Sequence, residues 1–243
     1  MIKGIYTAAS GMVSLQLKNE VITNNIANVN TTGFKREGVF RKTLIDKVKI
    51  LKMNSGDFVN LDEVDEVRID FKQGNLYSTG NPLDTAIDGK GFFSVQTPNG
   101  IRYTRNGSFT IDNERYLTTT NGYRLLGQNG PIQINGQNVF IGDDGSIIVD
   151  GQIVENLRIM DFPEPYVMNK IGDGLFEADE TQAIPARNFK IKQGFLEESN
   201  VNAVKEMVDL IELSRDYDSN QRTITIQDST LDKAVNEVGR ITR

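Results

Sequence analysis

Apolar side chains near the start of the chain recur at alternating steps of three and four residues: Ile5, Ala8, Met12, Leu15, Ile22, Ile26 and Val29, with Asn19 completing the series. Such a stripe lets one helix pack lengthwise on another, so the spacing predicts a helix over roughly residues 2–30. At ~1.5 Å per residue it would run about 40 Å. Gly4 and Gly11 lower its helix propensity and make it marginal alone. Asn19 on the stripe weakens packing but can set register. The polar run Asn28, Asn30, Thr31, Thr32, Gly33 predicts the stop, with Gly33 suited to a left-handed conformation.

A second helical pattern fills the last segment, from about residue 203, with no proline and no glycine before Gly239. Val204, Met207, Val208, Leu210 and Ile211 make a broad apolar face. A narrower seam continues through Tyr217, Ile224, Leu231, Val235 and Val238, interrupted by Gln221 and Asp228. Asn202 is the candidate N-cap, and Glu206, Asp209 and Glu212 suit the positive end of the helix dipole. Two long amphipathic helices at opposite ends of a chain are most readily buried against each other.

Between them the period changes. Short β-type runs such as Phe92-Phe93-Ser94-Val95 and Ile147-Ile148-Val149 alternate with Asn99-Gly100, Asn106-Gly107, Asn121-Gly122, Asn129-Gly130, Asn135-Gly136 and Asp150-Gly151. These dipeptides favour two-residue hairpins, so the middle reads as many short antiparallel strands. The predicted class is α+β. A discontinuous helical domain comes from the paired termini (1–34 and 196–243), and a central, mainly antiparallel β domain spans 74–195. Residues 35–73 read as a connector or an extended hairpin. A basic stretch there (Lys35, Arg36, Arg41, Lys42, Lys47, Lys49, Lys52) precedes an acidic one (Asp57, Asp62, Glu63, Asp65, Glu66, Asp70). Two solvated faces are the simpler reading, and mating along the chain or between subunits is the other.

Composition narrows the chemistry. The net charge of −6 disfavours a nucleic-acid binder, and no apolar run approaches the ~20 residues needed to span a bilayer. The opening residues lack the apolar core of a secretory signal, predicting either retention or export without a cleaved signal. Cys, His and Trp are absent, which removes disulfides, the usual zinc sites and the commonest general base. No cofactor or metal is expected. Asp84 and Asp88 are the sharpest catalytic candidates, as paired carboxylates can cleave glycosidic bonds, yet their turn setting favours capping of local backbone. Gly89-Lys90, Asp143-Asp144-Gly145 and Gly172-Asp173-Gly174 each lack the remaining residues of a phosphate, calcium or dinucleotide loop.

Three motifs then coincide. The segment Gly4 to Met12, followed by Thr23-Asn24-Asn25-Ile26-Ala27-Asn28-Val29-Asn30-Thr31-Thr32-Gly33-Phe34-Lys35, resembles the N-terminal signature of flagellar rod and hook proteins. Gly74 to Phe93, with Gly80-Asn81-Pro82-Leu83-Asp84, resembles that family's central motif. Gly194-Phe195-Leu196-Glu197-Glu198-Ser199-Asn200-Val201-Asn202 to Val208 is similar to its C-terminal signature. Together they frame the whole chain, in the right order. The resemblance implies a non-enzymatic basal-body rod subunit, proximal or distal, that self-assembles head-to-tail and helps transmit torque. It implies partners among itself and other rod and hook proteins, a type III export apparatus as carrier, and a final place outside the cytoplasmic membrane. The tail beyond Thr225 and the Arg215-Asp216-Tyr217 element depart from the usual pattern.

The stripes and the resemblance together assign subunit packing to Ile5, Ala8, Met12, Leu15, Asn19, Ile22, Asn25, Ile26 and Asn28, and to Val204, Met207, Val208, Ile211, Tyr217, Ile224 and Leu231. The competing readings are a non-polymerising adaptor or glycan-binding module on a helical stalk, and a carboxylate-based glycan hydrolase. In the central motif, Pro82 should mark a strand start or edge, Leu83, Ala86, Ile87, Phe92 and Phe93 should be core, and Gly89 and Gly91 should allow a tight turn.

Overall fold

The computed structural model describes residues 2–42 and 64–238, and the fold is α+β. It forms two compact units. The first is drawn from Met1–Ala27, Glu37–Asp70 and Asn202–Arg243, the second from Asn28–Arg36 and Phe71–Val201.

The first unit contains helix α1 (Ile2–Ala27), strands β1 (Glu37–Lys42) and β2 (Val64–Ile69), and helix α2 (Ala203–Val238). α1 stops three residues earlier than the apolar stripe suggests, because Asn28 accepts the Thr31 N–H at 3.1 Å and starts a turn. Asn202 caps α2 as its residue type predicts: Oδ1 accepts the Lys205 N–H at 3.1 Å. Further along, the hydroxyls of Ser214, Thr223, Thr225 and Thr230 return to carbonyls four residues back, so these poor helix formers are satisfied within the helix. Where they are described, parts of the two charged stretches pair through their backbones. β1 and β2 pair antiparallel with Glu37 opposite Ile69 and Arg41 opposite Asp65. The remaining charges predicted there, Lys47, Lys49, Lys52, Asp57, Asp62 and Glu63, lie outside the described residues.

The second unit holds the other strands. They are β3 (Leu76–Ser78), β4 (Thr85–Gly89), β5 (Phe92–Thr97), β6 (Gly100–Thr104), β7 (Phe109–Ile111), β8 (Leu117–Thr119), β9 (Arg124–Leu125) and β10 (Val139–Ile141). There follow β11 (Ser146–Val149), β12 (Gln152–Asn156), β13 (Ile159–Asp161), β14 (Asn169–Gly172), β15 (Leu175–Glu177), β16 (Ile184–Pro185), β17 (Phe189–Gln193) and β18 (Phe195–Glu197). The largest sheet runs β14-β15-β6-β5-β9-β8-β7, with β13 pairing both β5 and β16. β10-β11-β12 form a second sheet, and β17-β4 and β18-β3 are separate pairs. Every strand pairing described is antiparallel, as expected for strands joined by short turns.

Strand alternation in β5 divides the interior. Phe93 points into an aliphatic core with Val95, Phe109, Leu117, Leu125, Ile134 and Ile147. Phe92, one residue earlier, points the other way into an aromatic cluster with Phe71, Phe162, Tyr166 and Phe176, ring centroids 5.2–6.3 Å apart. The central motif behaves as read. Pro82 lies in the turn before β4, Ala86, Ile87, Phe92 and Phe93 are buried, and Leu83 packs against the core. The turn between Gly89 and Gly91 separates strands of different sheets, since β4 and β5 do not pair.

Three of the six predicted dipeptides cap hairpins: Asn99-Gly100, Asn121-Gly122 and Asp150-Gly151. Asn129-Gly130 closes a turn between the antiparallel bridge partners Leu126 and Pro131, and the other two lie in irregular loops. At Asn106-Gly107 the glycine is needed for a close approach, because a Cβ there would overlap the Thr85 carbonyl.

Candidate assembly surface

α1 and α2 run antiparallel. Near one end of the pair Asn25 Nδ2 reaches Glu206 Oε2 at 3.3 Å, while toward the other a Cβ added to Gly11 would lie 3.9 Å from Asn220 Nδ2. Both pairs are separated by 14 residues along α2 and along α1, so one register covers both. Continued along α2, that register puts Leu210, Leu213, Tyr217 and Ile224 on the same face as Glu206 and Asn220, stepping by four and three like a coiled-coil seam. Val21, Ile22 and Leu213 are its buried apolar centre. Asn25, also fully buried, spends its amide inside the unit. Its Oδ1 accepts the Glu37 N–H at 2.9 Å, and its Nδ2 donates to the Glu37 carbonyl at 2.8 Å as well as to Glu206. The amide thereby ties α1 to both β1 and α2 and commits both of its N–H donors within the unit.

The same helix carries a second apolar stripe that nothing in the described unit covers. Val204, Met207, Val208 and Ile211 are 73, 51, 48 and 55% exposed. Steps of three and four residues put them on one face over two turns, about 10 Å of helix. Beyond Ile211 that face becomes polar with Arg215, Asp218 and Arg222. Beside the seam, Leu15, Gln16, Asn19, Leu213, Ser214, Tyr217 and Asp218 line a groove of about 400 Å³.

The predicted packing residues therefore separate. Val204, Met207, Val208, Ile211 and Tyr217 are exposed on α2, and Asn19 is exposed on α1. Met12, Leu15, Ile26, Asn28, Ile224 and Leu231 are half-buried, whereas Ile22 and Asn25 are enclosed within the unit. Ile5 and Ala8 lie on the first two turns of α1. Sequence reasoning missed Glu206 as a seam residue: an acid in a first helical turn reads as a dipole partner, and only its alternation with Leu210 and Leu213 could have signalled burial.

Paired-carboxylate chemistry finds no support. Asp84 and Asp88 are four residues apart along extended chain, roughly 13 Å, against the ~5–9.5 Å a glycosidase uses. Asp84 accepts from Thr79 Oγ1 at 2.6 Å and Asn81 Nδ2 at 3.1 Å. The Lys192 ammonium, 2.8 Å from Asp88, holds that carboxyl below its usual range, opposite to what a general acid requires. Asp143, Asp144 and Gly145 form a hairpin turn in which Asp144 accepts from the Ser146 N–H and hydroxyl, and Asp173-Gly174 turns β14 into β15. Among the described residues no helix is long and apolar enough to cross a membrane, and no three acidic residues group as metal ligands.

Comparison with known proteins gives three family matches along the chain. Residues 5–35 match the flagella basal body rod protein model. Residues 86–149 match the flagellar hook protein FlgE/F/G D1 domain, and residues 192–237 the flagellar basal body rod FlgEFG protein C-terminal model. The flagellar basal-body rod protein FlgG of Bacillus subtilis is 34% identical over 97% of this chain and 99% of its own length. The flagellar basal-body rod protein FlgF of Rhizobium meliloti is 33% identical over 98% and 99%. The flagellar hook-basal body complex protein FlhO of Bacillus subtilis is 28% identical over 99% and 100%.

Proposed function

The chain belongs to the flagellar basal-body rod and hook protein family and is a structural subunit of the basal-body rod, not an enzyme; from that premise we propose that it assembles head-to-tail through the uncovered stripe of α2. The observation that carries this reading is the pair of unlike faces on one helix. Glu206 and Leu213 lie on the face that meets α1 of the same chain, and Val204, Met207, Val208 and Ile211 stand 48–73% exposed. A contact between two different patches is heterologous, and repetition of one whose rotation does not close into a ring builds an open helical array. The groove at Leu15, Asn19 and Tyr217 and the half-buried Met12, Ile224 and Leu231 border the surface available to neighbours. Half-exposed side chains gain about 1 kcal/mol each on full burial, so the stripe supplies roughly 4 kcal/mol per contact before association costs.

The partners are further copies of this chain and other rod and hook proteins. The chain reaches the basal body, outside the cytoplasmic membrane, through the flagellar type III export apparatus, and within the rod it carries torque toward the hook. The test is a charge in the stripe. Val208→Asp with Ile211→Asp should leave a monomer with unchanged helix content that neither assembles nor restores motility to a strain lacking the protein. Normal assembly of that variant would overturn the reading.

A further inference from the structure

The signature residues Lys35 and Glu197 have no place in the assembly surface. Both side chains are fully buried in the second unit, 162 positions apart. Glu197, at the end of β18, joins three distant segments. Its main-chain carbonyl accepts the Gly33 N–H at 2.8 Å. Oε1 accepts the Lys35 ammonium and, at 2.9 Å, the Gly74 N–H, while Oε2 accepts Arg105 Nη1 at 3.2 Å. The cations are anchored further: Lys35 donates to the Lys72 carbonyl at 2.8 Å, and Arg105 Nη2 to the Gly89 carbonyl at 2.7 Å. Asn200 adds a second tie, accepting the Arg36 N–H at 2.7 Å and donating to the Lys72 carbonyl at 3.0 Å.

Topology gives this cluster a position in time. The β5-β6, β7-β8 and β11-β12 hairpins close through local turns. β3 and β4 differ: their strand partners are β18 and β17, 100 or more residues downstream. Contacts of such separation must overcome loop-closure entropy before they stabilise anything. Electrostatics sharpens the order. Bringing residues 33–36 and 72–74 against Arg105 without Glu197 would desolvate two cations with no carboxylate between them, which is less favourable than leaving them in water.

We infer that residues 33–36, 72–89 and 189–200 form a clasp that closes last and in one step, with Glu197 as its key. Until the C-terminal strands arrive, Lys35, Arg105 and the edges of β3 and β4 stay open. In a chain delivered extended, that delay keeps the N-terminal half from locking before β17 and β18 are available. The benefit to export rests on the function proposed above; the closing order does not.

Pulse-labelling hydrogen exchange during refolding of the full chain tests it. Amides of Val95, Leu117 and Leu125 should be protected before those of Gly33, Gly74, Thr79 and Gly194. Simultaneous or earlier protection of the clasp overturns the inference, whatever the protein proves to do in the cell. Kinetics gives an independent reading. Glu197→Gln should unfold roughly a hundred-fold faster with its folding rate within about two-fold of the parent, as for groups that pair after the transition state. A folding rate that falls by the full loss of stability overturns the inference. Should Glu197→Gln fail to fold, Lys35→Met, which leaves Arg105 on Glu197, is read by the same two criteria.

Discussion

Ile211 and Leu213 lie two positions apart on α2 and should respond to truncation in opposite ways. Leu213 is 4% exposed and faces α1. Leu213→Ala removes buried carbons and leaves a void, a change that costs 2–5 kcal/mol in packed interiors. The adjoining groove at Leu15, Ser214 and Tyr217 lets the site relax, so the low end applies, about 2.5 kcal/mol. Ile211 is 55% exposed. For Ile211→Ala the small loss of partial burial is offset by alanine's better helix propensity, and monomer stability should stay within about 0.5 kcal/mol.

In the assembled rod the ranking reverses. Truncating Ile211 removes three carbons worth ~0.8 kcal/mol each when fully buried, and about half of that is already realised in the monomer. A loss near 1.3 kcal/mol per contact raises the critical concentration for assembly about ten-fold. Urea denaturation of the monomer, followed by circular dichroism, measures the first effect; sedimentation of assembled protein against concentration measures the second. Equal destabilisation of the monomer by both variants would mean that the stripe is covered within the chain. An unchanged critical concentration for Ile211→Ala would remove the stripe from the subunit contact.

Three further outcomes follow from the second unit. A Cβ at Gly74 would overlap the Glu198 carbonyl oxygen, a main-chain atom that cannot swing aside, so Gly74→Ala should destabilise by about 2–3 kcal/mol in urea titrations. The Tyr103 hydroxyl is buried without a hydrogen-bond partner among the described residues, so Tyr103→Phe should be neutral or stabilising by about 1 kcal/mol at pH 7. Desolvation raises the phenol pKa of Tyr103, and desolvation and the 2.9 Å bond to Asp161 raise that of Tyr166; the folded state therefore keeps both protons where the unfolded chain releases them. Their contribution is fully present below pH 10 and is lost as pH rises above it, by at most about 1.4 kcal/mol per pH unit for each. Thermal melts between pH 9 and about 11.5 should show this fall, and it should be shallower in a Tyr103→Phe, Tyr166→Phe double variant.

Local features were the ones open to reading from sequence. The Asn202 cap, the stop after α1 and the Asn99-Gly100, Asn121-Gly122 and Asp150-Gly151 hairpins depend on residues within a few positions of one another. The two faces of α2 were harder. Val204, Met207, Val208, Leu210 and Ile211 form one broad apolar run on a helical wheel. Periodicity alone cannot tell which edge of that run meets α1 and which is left bare. Polar residues decided it: Glu206 is buried where Asn25 bonds to it, and Asn25 is buried where the start of β1 takes its other amide hydrogen and donates to its oxygen.

The signature around Lys35 was harder still, because its partner lies at the other end of the second unit. Read alone, Phe34-Lys35-Arg36 opens a basic stretch, and Glu197-Glu198 is an acidic pair before a helix. Each suggests a solvated face, since charges remain exposed unless matched. What reverses that reading is the convergence of one carboxylate with Lys35, Arg105 and the Gly33 and Gly74 amides, none of them its neighbours in sequence. Gly33 and Gly74 carried the local hint. A Cβ at Gly33 would come within 2.5 Å of the Arg105 backbone, and one at Gly74 would overlap the Glu198 carbonyl, so both positions exist to let chains pass close to each other. A glycine beside a buried charge is then better read as one wall of a closed polar joint than as a loop. By that reasoning the N- and C-terminal signatures each contain two devices: the helix residues serve the first unit, and the residues on the other side of the turn lock the second.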